Sequence, residues 1–205
     1  MALVAAGAPD VVLASASPTR RALLLAAGVP HRVMPAAVDE AEVKVALKAE
    51  GVAPRDAAVA LAELKAARVA PRVGADAIVL GCDQILTADG AWFDKPAGRA
   101  AAREQLVTLQ GRRHELWTAV VGFRDGTRIW HHLAGNRLWM RACSAGFIDA
   151  YLAADPDAAG SVGSYRIEGP GAQLFSRIQG DGFAIQGLPL LEVLDFLRTQ
   201  GVLLR

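Results

Sequence analysis

Val11-Val12-Leu13-Ala14-Ser15-Ala16-Ser17-Pro18-Thr19-Arg20-Arg21-Ala22-Leu23-Leu24 is the stretch that decides the fold. The apolar run Val11 to Ala14 predicts a buried strand. Ser15 to Ser17 reads as a turn. Ser17 suits a helix N-cap, Pro18 its first turn, and Gly28 a stop after about Ala27. A strand that feeds a helix through so short a turn predicts an α/β unit. The turn also leaves free N–H groups at a helix N-terminus, where anions bind. Ser15 and Ser17 can donate to phosphate oxygens there, and Arg20 and Arg21 add permanent charge. An ordinary capped helix with two solvated arginines fits the same residues.

Working outward, Asp56 to Val69 predicts a second helix, with Ala58, Leu61, Ala62, Lys65 and Val69 on one side. Ala77 to Gly81 predicts a buried strand, with Asp83 and Gln84 just past its carboxyl end. Asp89-Gly90 predicts a hairpin turn. A helix over Arg99 to Leu109 stops near Gly111. His114 to Phe123 and Thr127 to Met140 flank a second Asp-Gly turn and form a hairpin. Ser144 to Ala153 is helical, and a glycine-rich stretch runs from Gly160 to Gly171. A hairpin about Gly180-Asp181-Gly182 and an amphipathic helix over Leu188 to Thr199 complete the reading. Strand–helix alternation followed by hairpins predicts a mixed sheet flanked by helices.

The 205 residues suit residues 1–10 as a loose N-terminal extension and 11–205 as one α/β domain. A formal net charge of +1 argues against a duplex-binding surface and leaves room for a local anion site. Two distant cysteines, Cys82 and Cys143, argue against a disulfide framework and for a reducing, cytoplasmic setting. The apolar N-terminus lacks a basic leader and is too short to span a membrane.

Ligands collect outside the carboxyl ends of strands in open α/β sheets. Asp83 is therefore placed to bind a metal or orient a water, or is simply a strand-end acid. Val38-Asp39-Glu40 is an acidic pair in an apolar stretch. Hard cations need only one or two carboxylates when a substrate supplies phosphates. Lys65 either snorkels from its helix or reaches a phosphate. Lys95 precedes Pro96 in a stiff loop. Gly163 to Gly169 could carry Glu168 to the polar edge of a ligand. The histidines do not form a zinc-like pattern, because His131 and His132 are adjacent and point apart on a strand. P-loop, Rossmann and Gly-x-Ser-x-Gly signatures are absent.

The order of these pieces resembles the Maf nucleotide pyrophosphatases. Val12 to Leu24 is similar to the opening signature of that family. Val38-Asp39-Glu40, Leu61-Ala62 with Lys65-Ala66, Gly81 to Gln84, Lys95-Pro96, Gly111 with His114, and Thr118-Ala119-Val120 follow in the family's order. Gly163 to Gly169 and Gly187-Leu188-Pro189-Leu190 complete it, so the resemblance spans residues 11–198. It implies an elongated mixed sheet flanked by helices with a central cleft, and a homodimer. It implies a divalent cation (Mg, Mn or Co) and cleavage between the α and β phosphates of a nucleoside triphosphate. Ser15, Ser17, Arg20 and Arg21 would bind substrate, and Lys65 and Lys95 would hold phosphates during catalysis. Glu40 and Asp83 would hold the metal, with Asp83 the catalytic carboxylate. Thr19, Gln84 and Glu168 would surround the base. Gln84 and Glu168 are similar to the 7-methyl-GTP branch, whereas Thr19 departs from it by lacking an aromatic platform. Tyr165 or Trp92 could supply one. Leu64 departs too, since an acidic residue usually precedes the family's lysine. A dTTP/UTP enzyme of the same family is the alternative within this class. A nucleotide-regulated inhibitor of septum formation, acting through a partner, is the alternative outside it. Neither nucleic acid nor membrane is expected as a partner.

Overall fold

The computed structural model describes residues 3–205. Seven strands form one mixed sheet in the order β2-β1-β3-β5-β6-β7, with β4 paired to β3 off this path. β1 (Val11–Leu13) is buried along its whole length and runs parallel to β2 (Arg32–Val33) and to β3 (Ile78–Ala88). α1 (Pro18–Ala26) links β1 to β2 and is capped by Ser17, as its sequence predicts. β5 (Arg113–Arg124) and β6 (Thr127–Met140) form the long antiparallel hairpin expected from Asp125-Gly126. Asp89 and Gly90 join β3 to β4 (Ala91–Phe93), both with positive φ, as do Asp125 and Gly126. Two positive φ values in succession match the right-handed twist of a hairpin, which explains both Asp-Gly pairs.

Side chains alternate across the sheet and build three cores. Val79 and Ile85 of β3, with Ala119 and Val121 of β5, pack against α3 (Pro54–Val69) through Ala58, Leu61, Ala62 and Ala66. On the opposite face, Ile78, Leu80, Cys82 and Val120 pack against Leu24 of α1 and Val193, Phe196 and Leu197 of α7 (Leu190–Thr199). Farther along that face, Leu86, Leu116 and Leu138 pack against α4 (Arg99–Leu109) and α5 (Ala145–Ala154). Gln84 and its cross-strand partner Thr118 fall between these last two cores, so a polar seam divides the face.

Several features differ from the sequence reading, among them β2, which the sequence reading does not contain. β3 continues through Ile85-Leu86-Thr87-Ala88, which places Asp83 and Gln84 inside the strand rather than beyond its end. The apolar alternation persists to the Asp89 turn, so nothing stops the strand at Gly81. α2 (Glu40–Ala49) was not anticipated; it has no fully buried residue, which weakens its helical periodicity. Gly180 to Gly182 is not a hairpin. β7 (Phe175–Gln179) ends there, and Asp181 accepts hydrogen bonds from Phe183 N and Ala184 N to cap the short helix α6 (Gly182–Ile185). The N-terminal segment is not loose where it is described: Val4 bridges Leu203, and Ala5 N donates to Val202 O. Among the described residues, no helix is long and apolar enough to cross a membrane.

Candidate active site

β1 pairs with β3 over residues 78–80, and β4 pairs with it over 86–88. β5 occupies the other edge over 79–87. Residues 81–85 therefore have one open edge, between the end of β1 and the start of β4. Backbone groups exposed on such an edge need partners. Here Cys82 O accepts from Arg20 Nη1 at 3.0 Å and from Lys65 Nζ at 3.5 Å. The gap in the sheet edge gathers the cations.

Gly81 brings Lys65 into reach. A Cβ on Gly81 would stand 2.1 Å from Ala62 O and 2.8 Å from Ala66 N, so α3 lies directly on the strand. Lys65 then projects over the next residue of the same face, Asp83. Its Nζ stands 2.5 Å from Asp83 Oδ1 and 2.7 Å from Glu40 Oε1. Lys65 and Asp83 are buried, whereas Glu40 is partly open. Burial raises the Asp83 carboxyl pKa, and Lys65 opposes that shift only in part. Glu40 is lowered: its partial burial pushes the pKa up, but Lys65, Lys44 and Lys95 together outweigh it. Asp39, the other acid of the pair, is the N-cap of α2 and accepts from Glu42 N at 3.0 Å.

Arg20 is buried rather than solvated. Its Nε donates to Gly187 O at 2.8 Å, and its Nη1 also donates to Ser15 Oγ at 2.9 Å. All three of its acceptors are neutral, so no carboxylate cancels the guanidinium charge. Ser15 Oγ accepts also from Ser17 N at 3.3 Å, which leaves its own hydrogen free to donate. Ser17 Oγ accepts from Arg20 N as the helix cap. Arg21 is exposed, and Thr19 is half-buried in the first turn of α1. Lys95 is largely exposed, yet its pKa is lowered, first by partial desolvation and then by Arg20 and Lys65. Lys44, which sequence reasoning passed over, pairs with Asp94 at 2.9 Å and ties α2 to the Lys95 loop. Ser15, Ser17, Arg20, Lys65, Asp83, Glu40 and Lys95 thus converge on the open edge of β3.

The residues assigned to the base are more dispersed. Gln84 lies in the polar seam, beside Arg20 and Gly187. Glu168 stands 3.4 Å from Arg166 Nε, and Arg166 Nη1 also meets Asp155 at 3.1 Å and Asp157 at 3.2 Å. Glu168 makes no contact with Gln84 or Thr19 within hydrogen-bond distance among the described residues. Tyr165 does not offer an aromatic platform. It is buried against Phe175, and its hydroxyl meets His114 Nε2 at 3.0 Å. Trp92 is half-buried and carries Lys48 over its ring at 5.0 Å. A cavity of about 590 Å³ opens elsewhere, along Thr87, Asp89, Arg112 and Arg113, and includes none of the predicted site residues.

A divalent cation fits the residues present. Asp83 Oδ2 is buried without a hydrogen-bond partner, and such an orphaned carboxylate oxygen is what a hard cation takes. No group of three or more His, Cys, Asp or Glu residues forms a metal cage among the described residues. Phosphate oxygens and water would complete the coordination of Asp83 and Glu40.

Comparison with known proteins identifies the family. The family model described as Maf-like protein matches residues 10–200. The chain is 52% identical over 201 residues to a nucleoside triphosphate pyrophosphatase of Rhodospirillum rubrum, covering 96% of this chain and 97% of that one. A nucleoside triphosphate pyrophosphatase of Granulibacter bethesdensis is 48% identical, with 94% and 98% covered. A 7-methyl-GTP pyrophosphatase of Mesorhizobium japonicum is 46% identical, with 94% and 97% covered. With the strand–turn–helix opening, the Lys65–Asp83 pair and a family match over nearly its whole length, the chain belongs to the Maf family.

Proposed function

We propose that this protein hydrolyses nucleoside triphosphates between the α and β phosphates, releasing a nucleoside monophosphate and pyrophosphate. The observation that carries this reading is the buried Lys65–Asp83 pair, joined by the partly open Glu40, beside the uncompensated charge of Arg20. A triphosphate brings several negative charges, and cleavage needs them neutralised and a water aimed at phosphorus. Arg20 Nη2, the free hydrogen of Ser15, the N-terminus of α1 and Lys95 supply the positive end. Asp83 Oδ1 is held by Lys65, and Oδ2, the oxygen that a cation would take, keeps a second lone pair to accept a proton from the attacking water. The raised pKa of Asp83 makes it a stronger base than an ordinary carboxylate. The water oxygen bonds to the α phosphorus, the α–β bridge breaks, and pyrophosphate leaves with the bridging oxygen. Glu40 and Asp83 would hold a divalent cation (Mg, Mn or Co), which spreads the phosphate charge and lowers the pKa of a bound water.

For the base, the reading favours a guanine-type substrate, 7-methyl-GTP first. Gln84 and Glu168 support it, as does the charge of the Arg166 cluster, where one guanidinium faces three carboxylates. That surplus of negative charge suits a cationic methylated base. Relatives of both descriptions, nucleoside triphosphate pyrophosphatase and 7-methyl-GTP pyrophosphatase, are about equally similar. A turnover assay with Mg²⁺ over a panel of natural and modified triphosphates tests the reading. Release of pyrophosphate with 7-methyl-GTP as the best substrate is expected. A strong preference for UTP or dTTP would overturn the base assignment, and no turnover would overturn the reaction.

A further inference from the structure

Ser164 is fully buried yet holds φ at +60°, a left-handed conformation that a side chain rarely adopts. Such a conformation persists only where its surroundings over-determine it. Here they do. Gly163 presses so closely on the core that a Cβ would stand 2.6 Å from Leu86 Cδ1, Tyr165 is buried on the other side, and Ser164 N donates to Ser161 O at 3.1 Å. The Ser164 hydroxyl meets Oε1 of Gln105, on α4, at 2.9 Å. The other end of that amide stands 2.6 Å from Asp94 O. A carbonyl oxygen only accepts, so that end is the NH₂ group, and the Ser164 hydroxyl must donate to the amide oxygen. Gln105 therefore bridges two segments. One leads from Ser164 to Glu168, and the other continues from Asp94 directly into Lys95.

Residues 94–97 lie between β4 and α4 and join no backbone turn hydrogen bond among the described residues. Two polar side chains reach this loop, both at Asp94. Lys44 meets Asp94 Oδ1 at 2.9 Å, but the Asp94 side chain is 58% exposed and α2 has no fully buried residue. Surface pairs of that kind fix little. Gln105 grips the backbone carbonyl itself, in the peptide that joins Asp94 to Lys95. It does so from a helix whose Ala102, Leu106 and Leu109 are fully buried. We infer that Gln105 is a positioning residue, which holds Lys95 at the open edge of β3 by tying its loop to the buried Ser164. This rests on the proposed nucleotide hydrolysis and deepens it: the phosphate lysine and the loop of Glu168 are kept at a set separation, into which a nucleoside triphosphate must fit.

The test measures KM and kcat, for each triphosphate that the parent hydrolyses, in Gln105→Leu, Lys95→Ala and the double variant. Gln105→Leu should raise KM about fivefold for every triphosphate, whichever base it carries, and change kcat little. Because Gln105 acts through Lys95, the same change should raise KM no further in a Lys95→Ala background. A merely structural role would lower the melting temperature and add its full effect to that of Lys95→Ala. Ser164→Gly adopts positive φ freely but has no hydroxyl. It should raise KM in the parent and have no effect in a Gln105→Leu background. An unchanged KM in Gln105→Leu, or an equal rise in the Lys95→Ala background, would overturn the inference. If no triphosphate is turned over, the hydrolysis reading fails by itself. Kd for inorganic pyrophosphate with Mg²⁺, taken by calorimetry through the same cycle, then decides the inference separately. A weakening by Gln105→Leu that vanishes without Lys95 supports it, and an additive weakening or none overturns it.

Discussion

Two arginines organise the two sides of this molecule, and they do it in opposite ways. Arg20 donates to Gly187 O, Ser15 Oγ and Cys82 O, all neutral acceptors, and is buried. Arg166 meets Asp155, Asp157 and Glu168 and is partly exposed. The first arrangement orders a guanidinium while leaving its charge unspent. The second spends the charge on carboxylates and leaves a negative surplus. The comparison teaches that a count of hydrogen bonds does not identify an anion site; the formal charge of the acceptors does. On the proposed function, a triphosphate would be drawn to the Arg20 side, and a cationic or N–H-rich base to the Arg166 side.

The largest expected effect is on the Arg20 side, at Asp83. Asp83→Asn keeps the shape but removes the base, and turnover should fall by about 10² or more with the fold retained. Circular dichroism and steady-state kinetics check both halves of that statement. A near-normal rate would reduce Asp83 to a structural partner of Lys65.

Arg20→Ala and Arg166→Ala break the comparison directly. Arg20→Ala should weaken every triphosphate alike, by roughly 10–100-fold in KM, because it removes a charged donor to a shared group. It should also lower stability by about 2–4 kcal/mol, since buried acceptors lose their donor. Arg166→Ala should leave phosphate binding intact and alter only the base preference. Were Arg166→Ala to weaken all triphosphates as Arg20→Ala does, the division of labour would be wrong.

The two sides should also respond differently to acid. On the Arg166 side, His114 is buried against Tyr165 and Phe175, and burial lowers its pKa to about 4. An unfolded histidine titrates near 6.5. The folded pKa lies below the unfolded one, so unfolding takes up a proton between these values. Stability is therefore full above about pH 6.5 and is lost as pH falls towards 4, by about 2 kcal/mol at pH 5. His114→Gln should flatten that slope in urea titrations at pH 7 and 5. An equally steep fall in the variant would assign the effect to other groups.

The smallest effect is expected at Glu168. Glu168→Gln offers one acceptor and one donor where a guanine edge needs two acceptors. The ratio of kcat/KM for 7-methyl-GTP over UTP should drop about fivefold. An unchanged ratio would remove Glu168 from base reading.

Much of this architecture is legible along the chain. Ser17-Pro18 announces α1, and the two Asp-Gly pairs announce their hairpins, because a cap and a turn depend on neighbours in sequence. The phosphate residues could be placed on their elements for the same reason. What was not legible depends on partners far away. Arg20 looks like a solvated helix residue until Gly187, 167 positions on, accepts from it. Lys65 looks like a snorkelling lysine until the bare face of Gly81 lets α3 settle onto β3. The length of β3 was missed because an aspartate inside a buried strand is costly, and only the Lys65 pairing makes it tolerable.

The central claim is that the Arg20 and Lys65–Asp83 side aims water at the α phosphorus. The most direct test is hydrolysis of 7-methyl-GTP in H₂¹⁸O with Mg²⁺, followed by mass spectrometry of the products. The account predicts two products, pyrophosphate without label and a monophosphate carrying one ¹⁸O. Label in pyrophosphate, or release of orthophosphate and a nucleoside diphosphate, would contradict it.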